Sequence, residues 1–420
     1  MTGRVAVIGA GVVGLACASY LQMRGRAVTL IDPGAPGEYC SSGNAGCFSR
    51  ASCVPLGLPG SWRNVPGWLV HPDGPLAIAP QYALRVAPWL WRLHRATSLA
   101  RVNAIADALH ALLTVTLDKW RPLAARADAS HLIVQRGYAF AYSTERAFAG
   151  DALGRALREA RGVRIEILTG AAIRDYEPAL SERTRRLVVL PEQGHCTDPL
   201  ALSRALAERL RAGGAQFISG AATRFECNDG HVRAVVTDRD TVATDAVVLA
   251  AGAHSKPLAA ALGSAVPLET ERGYHVTLSA PSVMPRAPLM SGEGKFFATP
   301  MDSGLRIAGT VELAGLDAAP NFARADALLQ GGKRLLPALR YSAVERWMGH
   351  RPSLPDSMPV LGRSPRYANA FFAFGHGHVG LTAAAPTGEI IADLVCGREP
   401  YMNVAPFAAE RFEQGGRLNG

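Results

Sequence analysis

The sequence predicts an α/β chain in two parts: a Rossmann-like nucleotide layer, and a second mixed α+β layer built on a largely antiparallel sheet. Three observations predict it. The β-branched run Val5-Ala6-Val7-Ile8 meets Gly9-x-Gly11-x-x-Gly14, a helical pattern follows, and a second apolar run, Val28 to Ile31, ends at Asp32. Asp245-Ala246-Val247-Val248-Leu249 repeats that composition and runs into the small-residue turn Ala250-Ala251-Gly252-Ala253. Residues 265 to 345 read differently, as short strands of antiparallel type around Tyr274–Leu278, Phe296–Pro300 and Leu305–Gly309. With 420 residues, 48% of them hydrophobic, the chain can bury enough core for two domains.

The opening unit is a dinucleotide cradle. Gly9 permits the tight turn out of the strand, Gly11 lets backbone approach a pyrophosphate, and Gly14 lets helix and sheet pack closely. Val12 and Val13 begin a helix whose unpaired N–H groups and positive dipole end face the phosphates. Asp32 stands near the spacing at which a carboxylate takes a ribose diol. Pro33 to Gly60 then forms a loop rich in small residues, including Ser41-Ser42-Gly43-Asn44-Ala45-Gly46, suited to close backbone approach to a flat or anionic group.

Residues 60 to 100 carry Trp62, Trp68, Trp89 and Trp91 among Arg85, Arg92 and Arg95, with Pro88 between them. Two readings stand: a stretch resting on a membrane interface, or a packed helix whose arginine stems snorkel. Ile105, Leu109, Leu112, Leu113, Thr116 and Trp120 keep to one face of a helix over 103 to 120. Leu132–Val134 and Tyr138–Phe140 read as strands, and Ala152 to Arg161 as a helix. Asp198, Pro199 and Gly213 bracket another helix as N-cap, first position and C-terminal cap. Strands follow at Gln216–Ile218 and Val232–Val236, and a helix over Ala325 to Leu336. The chain ends on two dense motifs, Gly349-His350-Arg351-Pro352 and Phe374-Gly375-His376-Gly377-His378-Val379-Gly380-Leu381-Thr382, the latter opening a last helix able to hold negative charge at its N-terminus.

Composition narrows the function. Net charge is +9, yet no basic run or aromatic-interleaved basic patch supports nucleic acid. Seven cysteines without CxxC pairs argue against a disulfide framework or zinc site, and Cys40, Cys47 and Cys53 read as small residues in a glycine-rich segment. No apolar run is long enough to span a membrane and the cradle begins at residue 4, so the expectation is a cytoplasmic protein, with contact to the inner membrane face left open.

These motifs, in this order, resemble the flavin-dependent oxidoreductases of the D-amino-acid oxidase superfamily, most closely the D-amino-acid dehydrogenase small-subunit (D-hydroxyproline dehydrogenase-like) type. The resemblance covers nearly the whole chain. It implies FAD, with Gly9, Gly11, Val12, Val13, Gly14 and Asp32 at pyrophosphate and ribose and the backbone near Ala222 at the adenine. It puts Ser42, Asn44, Ala45, Gly46, Ala251 and Gly252 beside the cofactor, and Gly377, His378, Val379, Gly380, Leu381 and Thr382 along the flavin edge where reduction places charge. Arg351 matches the family arginine that pairs with the substrate carboxylate, for which a bidentate guanidinium is the right group. The alternative for Arg351 is a structural salt bridge, and Arg272 and Arg306 are its rivals. Tyr274 is expected to cap the carboxylate, and His378 either to line the pocket or to be satisfied by backbone.

The implied reaction takes hydride from Cα to flavin N5; the imine then hydrolyses to a 2-oxo acid and ammonia, and electrons pass to a quinone or other carrier. Alternatives are a D-hydroxyproline or D-proline dehydrogenase, a glycine- or sarcosine-type oxidase using O₂, a noncatalytic flavoprotein subunit, and a nicotinamide-binding protein. The expected division assigns 1–85, 186–262 and 348–420 to the FAD-binding domain and 86–185 and 263–347 to the substrate domain. Expected partners are a small D-amino acid, the electron acceptor, and partner subunits or a membrane surface.

Overall fold

In the computed structural model, which describes residues 3–70 and 74–413, the nucleotide layer is a six-stranded sheet. Its order is Gln216–Ser219, Ala27–Asp32, Arg4–Ile8, Ala246–Leu249, Ala370–Phe374, Val360–Arg363. The first five run parallel and the last pairs antiparallel at the edge. Val5 and Val7 are buried on one face and Ala6 and Ile8 on the other, as strands covered on both faces require. The helix Val12–Met23 packs on this sheet and against the last helix, Gly380–Val395. A Cβ on Gly388 would lie 2.7 Å from the Ala16 backbone, so glycine there permits the close crossing.

The second layer is a nine-stranded mixed sheet. Its long members are Glu269–Ser279, Gly304–Leu313 and Ala343–Ser353, with the first paired antiparallel to both others. Its core joins Tyr274, Val276 and Leu278 to Ile307 and to Leu328 of the helix Ala323–Leu335.

Several expectations meet corrections here. Arg186–Leu190, within the nucleotide domain in the expected division, pairs with Tyr138–Tyr142 in the large sheet, and Leu76–Ile78 joins that sheet at Val311–Leu313. An apolar run records burial but not which sheet buries it. The ends of the expected division, 1–2 and 414–420, lie outside the described residues. The single helix expected over 103 to 120 is two, Leu99–Leu113 and Thr116–Arg126, broken where Thr116 Oγ1 donates to the Leu113 carbonyl. The Asp198 cap forms as read, its carboxylate accepting from the Leu200 and Ala201 N–H groups at 2.9 and 3.0 Å.

Candidate flavin and substrate site

A single elongated cavity of about 1700 Å³ runs from the cradle to the large sheet. That exceeds the roughly 300–1,000 Å³ of an ordinary small-ligand pocket, leaving room for an extended dinucleotide and a substrate. Ile8, Gly9, Gly11, Val12 and Val13 form one end. Gly9 has φ +106°, and a Cβ there would lie 2.3 Å from the Ala250 carbonyl oxygen. At Gly14, off the cavity wall, a Cβ would meet the Gly9 carbonyl oxygen at 1.9 Å. Only glycine closes this turn.

Asp32 lines the cavity and accepts from the Ala10 and Gly34 N–H groups at 2.7 and 2.8 Å. A carboxylate offers about four acceptor positions, so ligand hydroxyls can still be taken. Ala222, Ala251 and Gly252 line the same end.

The small-residue loop is tied from both sides. Arg306 donates to the carbonyls of Ser42 and Asn44 at 2.9 and 2.7 Å, and Thr382 Oγ1 donates to the Cys47 carbonyl at 3.0 Å. Gly43, Asn44 and Ala45 line the cavity. Ser42 and Gly46, expected beside the cofactor, lie off its wall. Ser42 Oγ donates to the Glu38 and Tyr39 carbonyls, and Gly46, with φ +80°, turns the chain under Cys196. The neighbouring Ser41 lines the cavity instead, its Oγ accepting from the Val12 N–H at 3.0 Å. Adjacent serines cannot be told apart by composition. The hydroxyl nearer the helix start is the one that caps it.

Opposite the loop, Gly377 to Thr382 line the cavity and open the last helix, whose first turn carries no acidic residue. Trp120 Nε1 donates to the Leu381 carbonyl at 2.9 Å and fixes this turn. His376 is buried with Nε2 at 3.0 Å from Thr387 Oγ1, and burial pushes its pKa down to about 3. His378 lines the cavity with its side chain accessible from it, and desolvation first and then Arg351 push its pKa down to about 4.

Of the three candidate arginines only Arg351 lines the cavity. It leaves the strand Ala343–Ser353, crosses Gly273 of the neighbouring strand, and donates to the carbonyls of Thr310 and Gly309 at 2.8 and 3.3 Å. A Cβ on Gly273 would lie 2.1 Å from its Nη2, so that glycine is the passage for the guanidinium. Among the described residues no carboxylate lies within 4.0 Å of it to form an ion pair. Glu271, its partner across the sheet, is buried in the same cavity wall, and burial raises its pKa against the opposing pull of Arg351. The structural-salt-bridge alternative is not what forms.

Arg272 is fully buried and donates to the carbonyls of Gly315, Ala318 and Ala319, which makes it a strut. Tyr274 requires a correction. It lines the cavity, but its hydroxyl donates to Glu312 Oε2 at 2.5 Å and accepts the Asn321 N–H at 3.0 Å, so its proton is committed to Glu312 rather than to a substrate carboxylate.

Sequence reasoning missed Glu271 and Trp347. Trp347 stacks on His275 with ring centroids 4.8 Å apart and lies where Cβ atoms on Gly43 and Gly349 would collide with its indole. The Trp-x-Gly spacing was the available signal. With Met290, Phe297 and Met348 it gives this end of the cavity an apolar wall.

The cradle without room for a Cβ, two helix starts on the cavity wall, Asp32 and the cavity's volume together fit FAD. An α/β flavoprotein whose cavity continues past its flavin segment to Arg351 and the large sheet is the class these features define. The family model for FAD dependent oxidoreductases (DAO) matches residues 4–394, and the chain belongs to that family. It is 42% identical over 415 residues to a D-amino-acid oxidase of Bradyrhizobium diazoefficiens, covering 97% of this chain and 98% of the relative. In fold it is similar to glycine oxidase from Geobacillus kaustophilus, with TM-score 0.73, 23% identity and coverage of 98% of this chain and 99% of that one. L-proline dehydrogenase from P. horikoshii aligns at TM-score 0.73 and 18% identity, over 99% of this chain and 98% of the other. The chain is therefore an FAD-dependent amino-acid oxidoreductase.

Proposed function

We propose that this enzyme oxidatively deaminates D-amino acids of modest, apolar side chain and passes the electrons to a quinone or similar carrier. The observation that carries the substrate reading is Arg351, a cavity-facing guanidinium held by main-chain carbonyls and lacking an ion-pair partner among the described residues. Two parallel charge-assisted hydrogen bonds from it would fix both position and rotation of an α-carboxylate. Trp347, Met290 and Phe297 would then receive the side chain. The 42% identical relative named D-amino-acid oxidase supports the D configuration.

Bound FAD supplies the acceptor for the hydride leaving Cα. Gly9, Gly11, Val12, Val13 and Asp32 would hold its pyrophosphate and ribose, and Asn44, Ala45 and Gly377 to Thr382 its flavin end. Arg351 orients the substrate so that one face of Cα is presented. His378, with its pKa near 4, is neutral at pH 7 and offers a ring nitrogen to the substrate amine without adding a second positive charge. No side chain need act as a strong base. Water completes the reaction by hydrolysing the released imino acid to a 2-oxo acid and ammonia.

For the acceptor, the support is an opening of the cavity around Trp62, Pro66, Leu90 and Leu93, suited to a lipophilic carrier. The relative's name favours O₂ as a second reading. Seven free thiols among the described residues suit a cytoplasmic setting, and no described helix is long and apolar enough to cross a membrane.

The test is anaerobic. The purified yellow protein is mixed with D- and L-amino acids, D-hydroxyproline, glycine and sarcosine, and the flavin is watched for bleaching. We expect bleaching by D-amino acids, and reoxidation by a short-chain quinone faster than by air. Bleaching by the L-series alone would overturn the substrate reading, and rapid peroxide production in air would overturn the acceptor reading.

A further inference from the structure

The helix Ala83–Arg95 turns Val86 and Trp89 into a small core with Leu313. Its other side presents Leu84, Pro88, Trp91 and Arg95, spaced as one helical stripe and all exposed, with Leu84 at 90% and Trp91 at 62%. The adjoining turn and short helix add Trp62 at 54% and Leu69 at 43%. His94 joins two of these rings, its centroid 6.3 Å from Trp62 and 5.9 Å from Trp91. Charge here has one sign: residues 56–106 hold five arginines and a single acid, Asp73. Among the described residues Arg63, Arg85, Arg92 and Arg95 form no ion pair with a carboxylate.

We propose that this face docks on an anionic lipid bilayer. Exposed Trp and Leu on a helix flanked by arginines match the interfacial arrangement, in which rings enter the headgroup boundary and guanidinium groups meet lipid phosphates. A protein partner recognising so uniformly basic a patch would have to supply matching acids, whereas an anionic leaflet supplies them everywhere. Trp62, Pro66 and His94 are both exposed and part of the cavity wall, so the cavity opens within the docking face. A lipid-soluble acceptor would enter from the bilayer without crossing water. The docking itself does not depend on which amino acid is oxidised.

Leu84, Arg92, Trp91 and Arg95 lie off the cavity wall, which allows a clean test. The holoprotein is sedimented with vesicles of phosphatidylcholine alone, and with vesicles containing phosphatidylglycerol. We expect binding to the anionic vesicles, weakened by salt, and little to the neutral ones. L84S/W91S should lower partitioning at least about tenfold. R92E/R95E should lower it by about as much and remove the dependence on anionic lipid. Both double variants should keep substrate-driven bleaching, which reads catalysis separately from docking. Failure of the wild type to bind anionic vesicles, or undiminished binding by both variants, would overturn the proposal. Should one variant lose its flavin, the other decides.

Discussion

Arg351 is the residue on which the substrate reading turns, and its place depends on a residue that touches no substrate. Gly273 leaves the gap through which the guanidinium passes. Gly273→Ala would meet only the movable end of that side chain, so we expect little change in thermal stability but a displaced guanidinium. KM for the amino acid should rise about tenfold or more while FAD stays bound, measured by steady-state kinetics and flavin absorbance. Gly14→Ala differs in kind. Its Cβ would meet the immobile Gly9 carbonyl, so the cradle itself must shift. We expect a loss of about 1–3 kcal/mol and release of FAD, read by denaturant unfolding and by the colour of the purified protein.

At the scale of elements, the clamp on the small-residue loop is the feature to break. Arg306 reaches from the strand Gly304–Leu313 to hold the Ser42 and Asn44 carbonyls, and burial lowers its own pKa against the opposing pull of Asp198 and Glu345. Arg306→Ala should loosen the loop and raise the FAD dissociation constant about tenfold, measured by fluorescence titration of the apoprotein. The sequence made the loop legible but not its clamp. Gly43-Asn44-Ala45 announces close backbone approach, whereas an arginine some 260 residues away gives no local sign of its partner. Periodicity likewise found the helix starting at Pro199 because cap and first-turn residues are neighbours. It misplaced Arg186–Leu190 because strand pairing is decided at long range. Tyr274 was misread for the same reason: a phenol in a strand points to whichever carboxyl packs beside it, here Glu312.

Across the whole molecule, buried histidines set a pH dependence. His275 and His376 are neutral in the folded state, with pKa values pushed down to about 3 from 6.5, chiefly by desolvation. Below 6.5 the unfolded chain takes up protons that the folded one refuses, so stability falls as pH drops and levels off only near the folded values. At about pH 5 each should cost roughly 2 kcal/mol relative to neutral pH. Denaturant midpoints compared at the two pH values test this, and a flat profile would contradict it. The general scheme of cradle, flavin loop and C-terminal helix was readable in the sequence because each part is local. The chamber between the layers was not, since Arg351, Glu271, Trp347 and His378 meet only once both sheets are assembled.

The most direct test of the central claim is the anaerobic rate of flavin bleaching by a D-amino acid in wild type, Arg351→Lys and Arg351→Ala. If Arg351 anchors the carboxylate, bleaching at fixed substrate should fall about a hundredfold in Arg351→Ala, with Arg351→Lys recovering only part because an ammonium cannot hold both oxygens. FAD content and the L-enantiomer's lack of effect should be unchanged. Bleaching by Arg351→Ala at the wild-type rate, with FAD bound, would contradict the account.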